Sequence, residues 1–147
     1  MKTLNEVMFI FPCTERDKWK QHTNGKGWVY HTATVSDTAF IEGIVSGNAR
    51  VSGNAWVYGN AWVSGNARVY GDAWTESPLY IQGTKHSLTL CSHTEIAIGC
   101  HVLPISEWKK RYRVIGLEEG YTPAQIKEYG TYIALLAATA KRLKKVL

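Results

Sequence analysis

The chain has 147 residues, 45% of them hydrophobic, and a formal charge of +5, which bounds it to one domain with appendages and a core of ordinary size. The charge is uneven: residues 1–31 carry five basic and three acidic side chains, residues 32–84 two and four, and residues 85–147 ten and five. The basic C-terminal third suits an anionic ligand, but no long basic run or nucleic-acid motif is present, so nucleic acid is not expected as a partner.

Cys13, Cys91 and Cys100 are scattered and lack CxxC spacing, which suits a reducing compartment. Residues 7–11 form an apolar run too short for a signal peptide or a membrane span. A cytoplasmic, non-membrane protein is expected.

In chain order, residues 6–11 read as a short strand that Pro12 ends, and residues 13–27 as a polar connection containing Trp19. Residues 1–31 are the predicted N-terminal cap, because the first coil of a stacked β structure exposes an unpaired edge. Repeat-like spacing begins at Ala33 and Val35 and continues at Ala39 and Ile41. Gly43 and Gly47 are four apart where six is the rule, so a shortened corner is expected at residues 44–46.

Residues 48–74 then repeat every six positions: Asn48-Ala49-Arg50-Val51-Ser52-Gly53, Asn54-Ala55-Trp56-Val57-Tyr58-Gly59, Asn60-Ala61-Trp62-Val63-Ser64-Gly65, Asn66-Ala67-Arg68-Val69-Tyr70-Gly71, and Asp72-Ala73-Trp74. Such a short unit cannot close a core alone and must stack. Ala and Val, two apart on an extended segment, share one side, while Arg, Trp, Ser and Tyr take the other. Val51, Val57, Val63 and Val69 are therefore the expected buried aliphatics, with Ala55, Ala61, Ala67 and Ala73 at corners that Gly and Asn turn.

Three segments make a triangular coil of eighteen residues, so residues eighteen apart stack one strand spacing of roughly 4.8 Å apart. Arg50 then lies under Arg68, Trp56 under Trp74, and Trp62 under Tyr80. Outward Trp is costly to leave wet, so Trp56, Trp62, Trp74 and Tyr80 are the expected contacts with another copy.

Beyond Trp74 the pattern degrades, and residues 79–83 are expected to restore the register. Residues 87–90 and 95–99 alternate like strands. The β region is thus expected to span residues 32–105. His86, Cys91, His93, Cys100 and His101 gather here, but their spacings match no structural zinc pattern, and neither a metal nor a cofactor is expected.

Residues 106–147 form the predicted helical segment. Ser106 is an N-cap for a helix over residues 107–119 closed by Gly120, with Trp108, Tyr112 and Ile115 on one face. Thr122, Pro123 and Gln125 make a capping box with Pro at the first helical position. The second helix places Ile126, Tyr129, Ile133, Leu136, Ala140, Leu143 and Leu147 at intervals of three and four. That seam suits either packing on the first helix or a trimeric coiled coil, with Ile126, Tyr129, Ile133 and Leu136 at the interface. Lys141, Arg142, Lys144 and Lys145, in its last turns, suit the negative end of the helix dipole.

The repeat resembles the left-handed β-helix of hexapeptide-repeat proteins. The fold class that follows is mainly β, a left-handed parallel β-helix with two C-terminal α-helices, α+β overall. The resemblance also implies a parallel homotrimer. Residues 77–136, with their Ile98-Gly99-Cys100-His101, Glu119-Gly120-Tyr121-Thr122 and Glu128-Tyr129-Gly130 signatures, are similar to the tail of short hexapeptide-repeat proteins of bacteriophages and prophages, labelled transferases by fold only.

The function expected is non-catalytic: a phage-type ligand-binding homotrimer with inter-subunit pockets, acting as an anti-defence sponge for a nucleotide-derived immune signal such as a cyclic nucleotide or an ADP-ribose derivative. Lys85, His86, His101, Trp108, Arg111 and Tyr112, with Arg50 and Arg68, are the candidate ligand residues, cations for phosphate and aromatics for a base. One alternative is an acyl-CoA-dependent acyltransferase with His86 or His101 as general base. A second is a protein-binding inhibitor or a structural virion protein.

Overall fold

A computed structural model describes residues 1–146, with side chains described through Leu143, so Leu147 of the predicted seam and the side chains of Lys144 and Lys145 lie outside the described residues. The chain divides into two compact units, Met1–Pro78 and Leu79–Leu147.

The first unit opens with helix α1 (Leu4–Ile10) where the sequence predicts a strand. Its start explains the difference. Thr3 Oγ1 accepts from the Glu6 amide at 3.3 Å, and a Glu6 carboxylate oxygen accepts from the Thr3 amide at 2.6 Å, a reciprocal capping box. Apolar runs this short carry no decisive period, and the cap decides.

Strand β1 (Trp19–Gln21) pairs antiparallel with β2 (Trp28–Tyr30). Then follow β3 (Thr34–Val35), β4 (Phe40–Ile41), β5 (Ile44–Val45), β6 (Arg50–Ser52), β7 (Trp56–Val57), β8 (Trp62–Val63), β9 (Arg68–Tyr70) and β10 (Ala73–Trp74). They stack as three parallel three-rung faces, β2-β5-β8, β3-β6-β9 and β4-β7-β10, so the coil is three-sided. Ile41, Val45, Val51, Val57, Val63 and Val69 fill its interior, each at most 1% exposed. The corners at Gly53 and Gly65 take φ of +63° and +62°, where a side chain is strained.

Three details depart from the regular period. Val29 pairs with Val45, Val35 with Val51 and Ile41 with Val57, each sixteen positions on, whereas Val45 to Val63 and Val51 to Val69 span eighteen. The shortened corner is therefore at Glu42 and Gly43, not at residues 44–46, which begin with strand β5. At Gly43 an added Cβ would sit 2.3 Å from the Ala61 carbonyl oxygen and 2.6 Å from that of Tyr58, so only glycine fits.

Gly71 and Asp72 both take positive φ, +28° and +58°. Two such residues in succession shorten the next step to seventeen, so Trp74 pairs with Val57 and turns inward, 1% exposed, while Ala73 takes the outward place beside Trp56. The expected Trp56–Trp74 outer stack does not form, and Trp74 is a core residue rather than an interface residue. Nor does Tyr80 follow Trp62: it pairs antiparallel with Thr89 in the second unit.

The N-terminal segment covers what the solenoid leaves open. Asn24 and Gly27 exchange backbone hydrogen bonds with Ile41, on the edge strand of the β4-β7-β10 face, at 2.9 and 2.6 Å. Helix α1 lies on the outer side of β2-β5-β8, where Val7 packs with Trp19 and Ile44 and the Phe11 ring is 5.6 Å from Trp62. The Trp62 column, expected to meet another copy, is thus partly covered by the chain's own N-terminal segment, with Val7 on Ile44 and Phe11 on Trp62, though Trp62 keeps 38% of its surface.

The second unit is an antiparallel meander, β11 (Tyr80–Gln82), β12 (Ser87–Leu90), β13 (Glu95–Ile98) and β14 (His101–Pro104), followed by α2 (Ile105–Glu118) and α3 (Pro123–Val146). Residues 79–83 therefore begin a new sheet instead of restoring the coil. Helix α2 starts one residue before Ser106 and has Pro104 as its N-cap, without a side-chain cap. The Thr122–Gln125 capping box opens α3, with reciprocal bonds of 3.2 and 3.0 Å.

The α3 seam is spent inside this unit. Tyr129, Ile133, Leu136 and Ala140 are at most 3% exposed, and α2 and α3 are close neighbours, Ile126 lying against Gly116 and the Tyr112 ring against Gly130. Tyr129, Ile133 and Leu136 are accordingly core residues, because the apolar face already has a partner within the chain. Among the described residues no helix is long and apolar enough to cross a membrane.

Glu128 ties α3 to the β11–β12 turn. Its carboxylate accepts from the Thr84 hydroxyl at 2.5 Å, the Thr84 amide at 3.1 Å and the Tyr132 hydroxyl at 2.8 Å. Those bonds, the Thr84 hydroxyl first, hold its pKa below the usual carboxylate value of 4.5. A depressed acid stabilises the folded state above its unfolded pKa and stops doing so as pH falls through the folded one. The melting temperature of the second unit should therefore fall as pH drops below about 4.5, and Glu128→Gln should flatten that dependence in thermal scans across an acid pH series.

Candidate functional site

Among the described residues, the second unit holds two concave features that bear on the expected site. The first is a small, partly open cavity lined by His86, Cys100, His101, Trp108, Glu119 and Tyr121, among others. His86 precedes β12 and is pinned on two sides: its amide donates to Tyr129 Oη at 2.6 Å, and its Nδ1 lies 2.7 Å from Tyr121 Oη. Its ring rests against Gly99 in the β13–β14 turn, where a Cβ would come within 3.2 Å. Burial pushes the Tyr121 phenol well above its ordinary pKa, so it stays a protonated hydroxyl.

His101, the first residue of β14, has Nε2 2.9 Å from Glu119 Oε1 and its ring edge-on to Trp108. Glu119 is the C-cap of α2. The hydrogen bond from His101 is the main reason its carboxylate titrates below the usual value. Trp108 is fixed by donation from Nε1 to the Ile96 carbonyl at 2.8 Å, and it forms the apolar wall. Lys85 closes the rim, its Nζ 2.8 Å from the Glu119 carbonyl oxygen and 5.1 Å from the Tyr121 ring centre.

The fold thus gathers His86, His101, Trp108 and Tyr112 around one cavity with Lys85 beside it, whereas Arg111 is exposed and outside the lining. The cavity does not take the ring-bearing anion expected of these residues. Its volume is about 30 Å³, room for an ion and a water, while organic ligands need roughly ten times as much. The Glu119 carboxylate would also repel an anion there.

The second feature is a shallow, open groove of about 600 Å³ along α2 and α3, lined by Tyr112, Arg113, Pro123, Ile126, Lys127, Gly130, Thr131 and Ala134. Gly130 shapes it, since any Cβ there would come 2.9 Å from the Tyr112 ring. The Arg113 guanidinium lies over that ring, 5.5 Å from its centre, and Arg113 Nε donates to Tyr112 Oη at 3.2 Å. The lining holds two cations, one phenol, one hydroxyl and no carboxylate, so it favours an anion. Of the residues expected to bind, only Tyr112 belongs to it.

Arg50 and Arg68 sit in register on neighbouring rungs of the solenoid's outer face, as the eighteen-residue spacing predicts. On the adjoining β4-β7-β10 face the rings of Phe40, Trp56 and Tyr58 cluster at 5.4–6.2 Å, with Trp56 47% exposed.

A family model described as the YdcK Beta solenoid repeat matches residues 45–59 and 61–76, most of the stretch from β5 to β10. No curated protein and no solved structure matches the chain. With the geometry above, the match makes the chain similar to the YdcK repeat over its central coils and identifies it as a β-solenoid repeat protein, β-rich and α+β overall.

Proposed function

We propose that the protein acts by binding rather than by catalysis, taking an anionic, ring-bearing ligand of the nucleotide type in the α2–α3 groove. The observation that carries this is the lining itself: Arg113 and Lys127 for phosphate, Tyr112 for a ring, Thr131 as a hydroxyl, and no acidic group, in a space of nucleotide size. The proposal includes a left-handed solenoid assembled as a homotrimer, with Phe40, Trp56 and Tyr58 as the contact, since Trp74 is turned inward and Trp62 has the chain's own Phe11 against it. In the phage-type setting that the sequence resembles, such a trimer would sequester a nucleotide-derived immune signal in the host cytoplasm.

The acyltransferase alternative has one observation in its favour, the His101–Glu119 pair, in which the carboxylate would orient an imidazole base. Against it, the cavity adjoining that pair is too small for a coenzyme. Native mass spectrometry of the purified full chain tests the binding reading. Three chains retaining a nucleotide-like mass support it, whereas retained coenzyme A or a lone chain without a ligand opposes it.

A further inference from the structure

Cys100, His101 and Glu119 bring one thiol, one imidazole nitrogen and one carboxylate oxygen within 4.8 Å of one another. Cys100 lies in the tight turn between β13 and β14, which Gly99 makes with φ +55°, His101 opens β14, and Glu119 is the C-cap of α2. All three line the same small cavity, and Cys100 and Glu119 are solvent-exposed, so an ion has a way in.

We infer that these three side chains bind a divalent transition metal of the zinc class, independently of the groove ligand. The donor set is what a borderline-soft ion selects, and it excludes the all-oxygen shells of magnesium and calcium. Thiolate and carboxylate together offset the ion's two positive charges, and the thiol proton leaves to solvent on binding. Zinc–ligand bonds of about 2.0–2.3 Å put tetrahedral donors roughly 3.3–3.7 Å apart, so the widest separation, at most 4.8 Å, closes by about 1 Å while the 2.9 Å His101–Glu119 hydrogen bond opens slightly and gives way to the ion, both within reach of side-chain rotation. A fourth position then faces the cavity, whose roughly 30 Å³ holds one water. Such a three-ligand site with an open position is the pattern of reactive rather than purely structural zinc.

The Lys85 ammonium, bonded to the Glu119 carbonyl at 2.8 Å, opposes the ion's charge. Lys85→Gln should therefore tighten binding. The signal is absent from the sequence because Glu119 is eighteen residues from His101 and joins it only through the fold.

The test uses the full chain stripped with chelator and titrated with Zn²⁺ and, for spectroscopy, Co²⁺. One ion per chain is expected, with a thiolate-to-cobalt charge-transfer band. Cys100→Ser should abolish that band, and Cys100→Ser and Glu119→Gln should each weaken zinc binding by at least about 10–100-fold. Cys13→Ser, at the other exposed thiol, should change neither. Absence of the band in the unsubstituted protein, unchanged affinity in both ligand variants, or loss through Cys13→Ser would each overturn the assignment.

Discussion

Replacing Trp74 with alanine is expected to destabilise the solenoid unit by about 3–5 kcal/mol, the cost of removing a buried aromatic whose cavity cannot collapse. Trp74 is 1% exposed and sits on the interior column above Val57, and its carbonyl accepts the Tyr58 amide at 2.9 Å. It therefore closes the end of the aliphatic column while its backbone extends the face. A loss of that size is a large share of the roughly 5–15 kcal/mol that holds a domain folded. Trp74→Phe, which refills most of the volume, should cost clearly less. Denaturant unfolding followed by far-UV circular dichroism measures both, and a loss below about 1 kcal/mol for Trp74→Ala would place the indole outside the core.

A single methyl at Gly43 is the second large perturbation, expected to cost about 3 kcal/mol, the upper end of overpacking. The Cβ would meet the carbonyl oxygens of Ala61 and Tyr58, which are backbone and cannot rotate away as a side chain would. Those carbonyls already accept from the Ile44 and Ala61 amides at 3.1 and 2.9 Å, so accommodating the methyl means parting two coils. Gly59 gives the control. There the nearest atoms to an added Cβ belong to the flexible Glu42 carboxyl at 3.7 Å, and Gly59→Ala should lie within about 1 kcal/mol of the unsubstituted protein. Equal effects at the two glycines would show that the shortened corner is not tightly packed.

The repeat was legible where one rule applied without interruption. Val57 and Val63 fall inward because period two within a segment and period six between segments agree, and both are fully buried. Trp74 broke the rule because Gly71-Asp72 looks like any other Gly-Asn corner in sequence, while two successive positive-φ residues take one position out of the coil. The α1 start was present as Thr3 and Glu6 at capping-box spacing, but a seven-residue helix is short enough for its apolar residues to pass for a strand.

Periodicity on α3 located an apolar seam without naming what covers it. Tyr129, Ile133 and Leu136 satisfy an inter-chain and an intra-chain partner equally well until α2 is placed against them. The groove was harder still, since Arg113 and Lys127 lie on different helices and meet only across the hairpin. Gly130, which admits the Tyr112 ring, was its one local trace.

Calorimetric titration of the full chain with ADP-ribose derivatives and cyclic nucleotides tests the binding proposal most directly. At least one of these should bind with an affinity that falls as salt rises and drops about 10–100-fold in Arg113→Glu and in Lys127→Glu, the loss expected for a charge-assisted phosphate contact. Absence of heat with every ligand, or binding that both charge reversals leave unchanged, would contradict it.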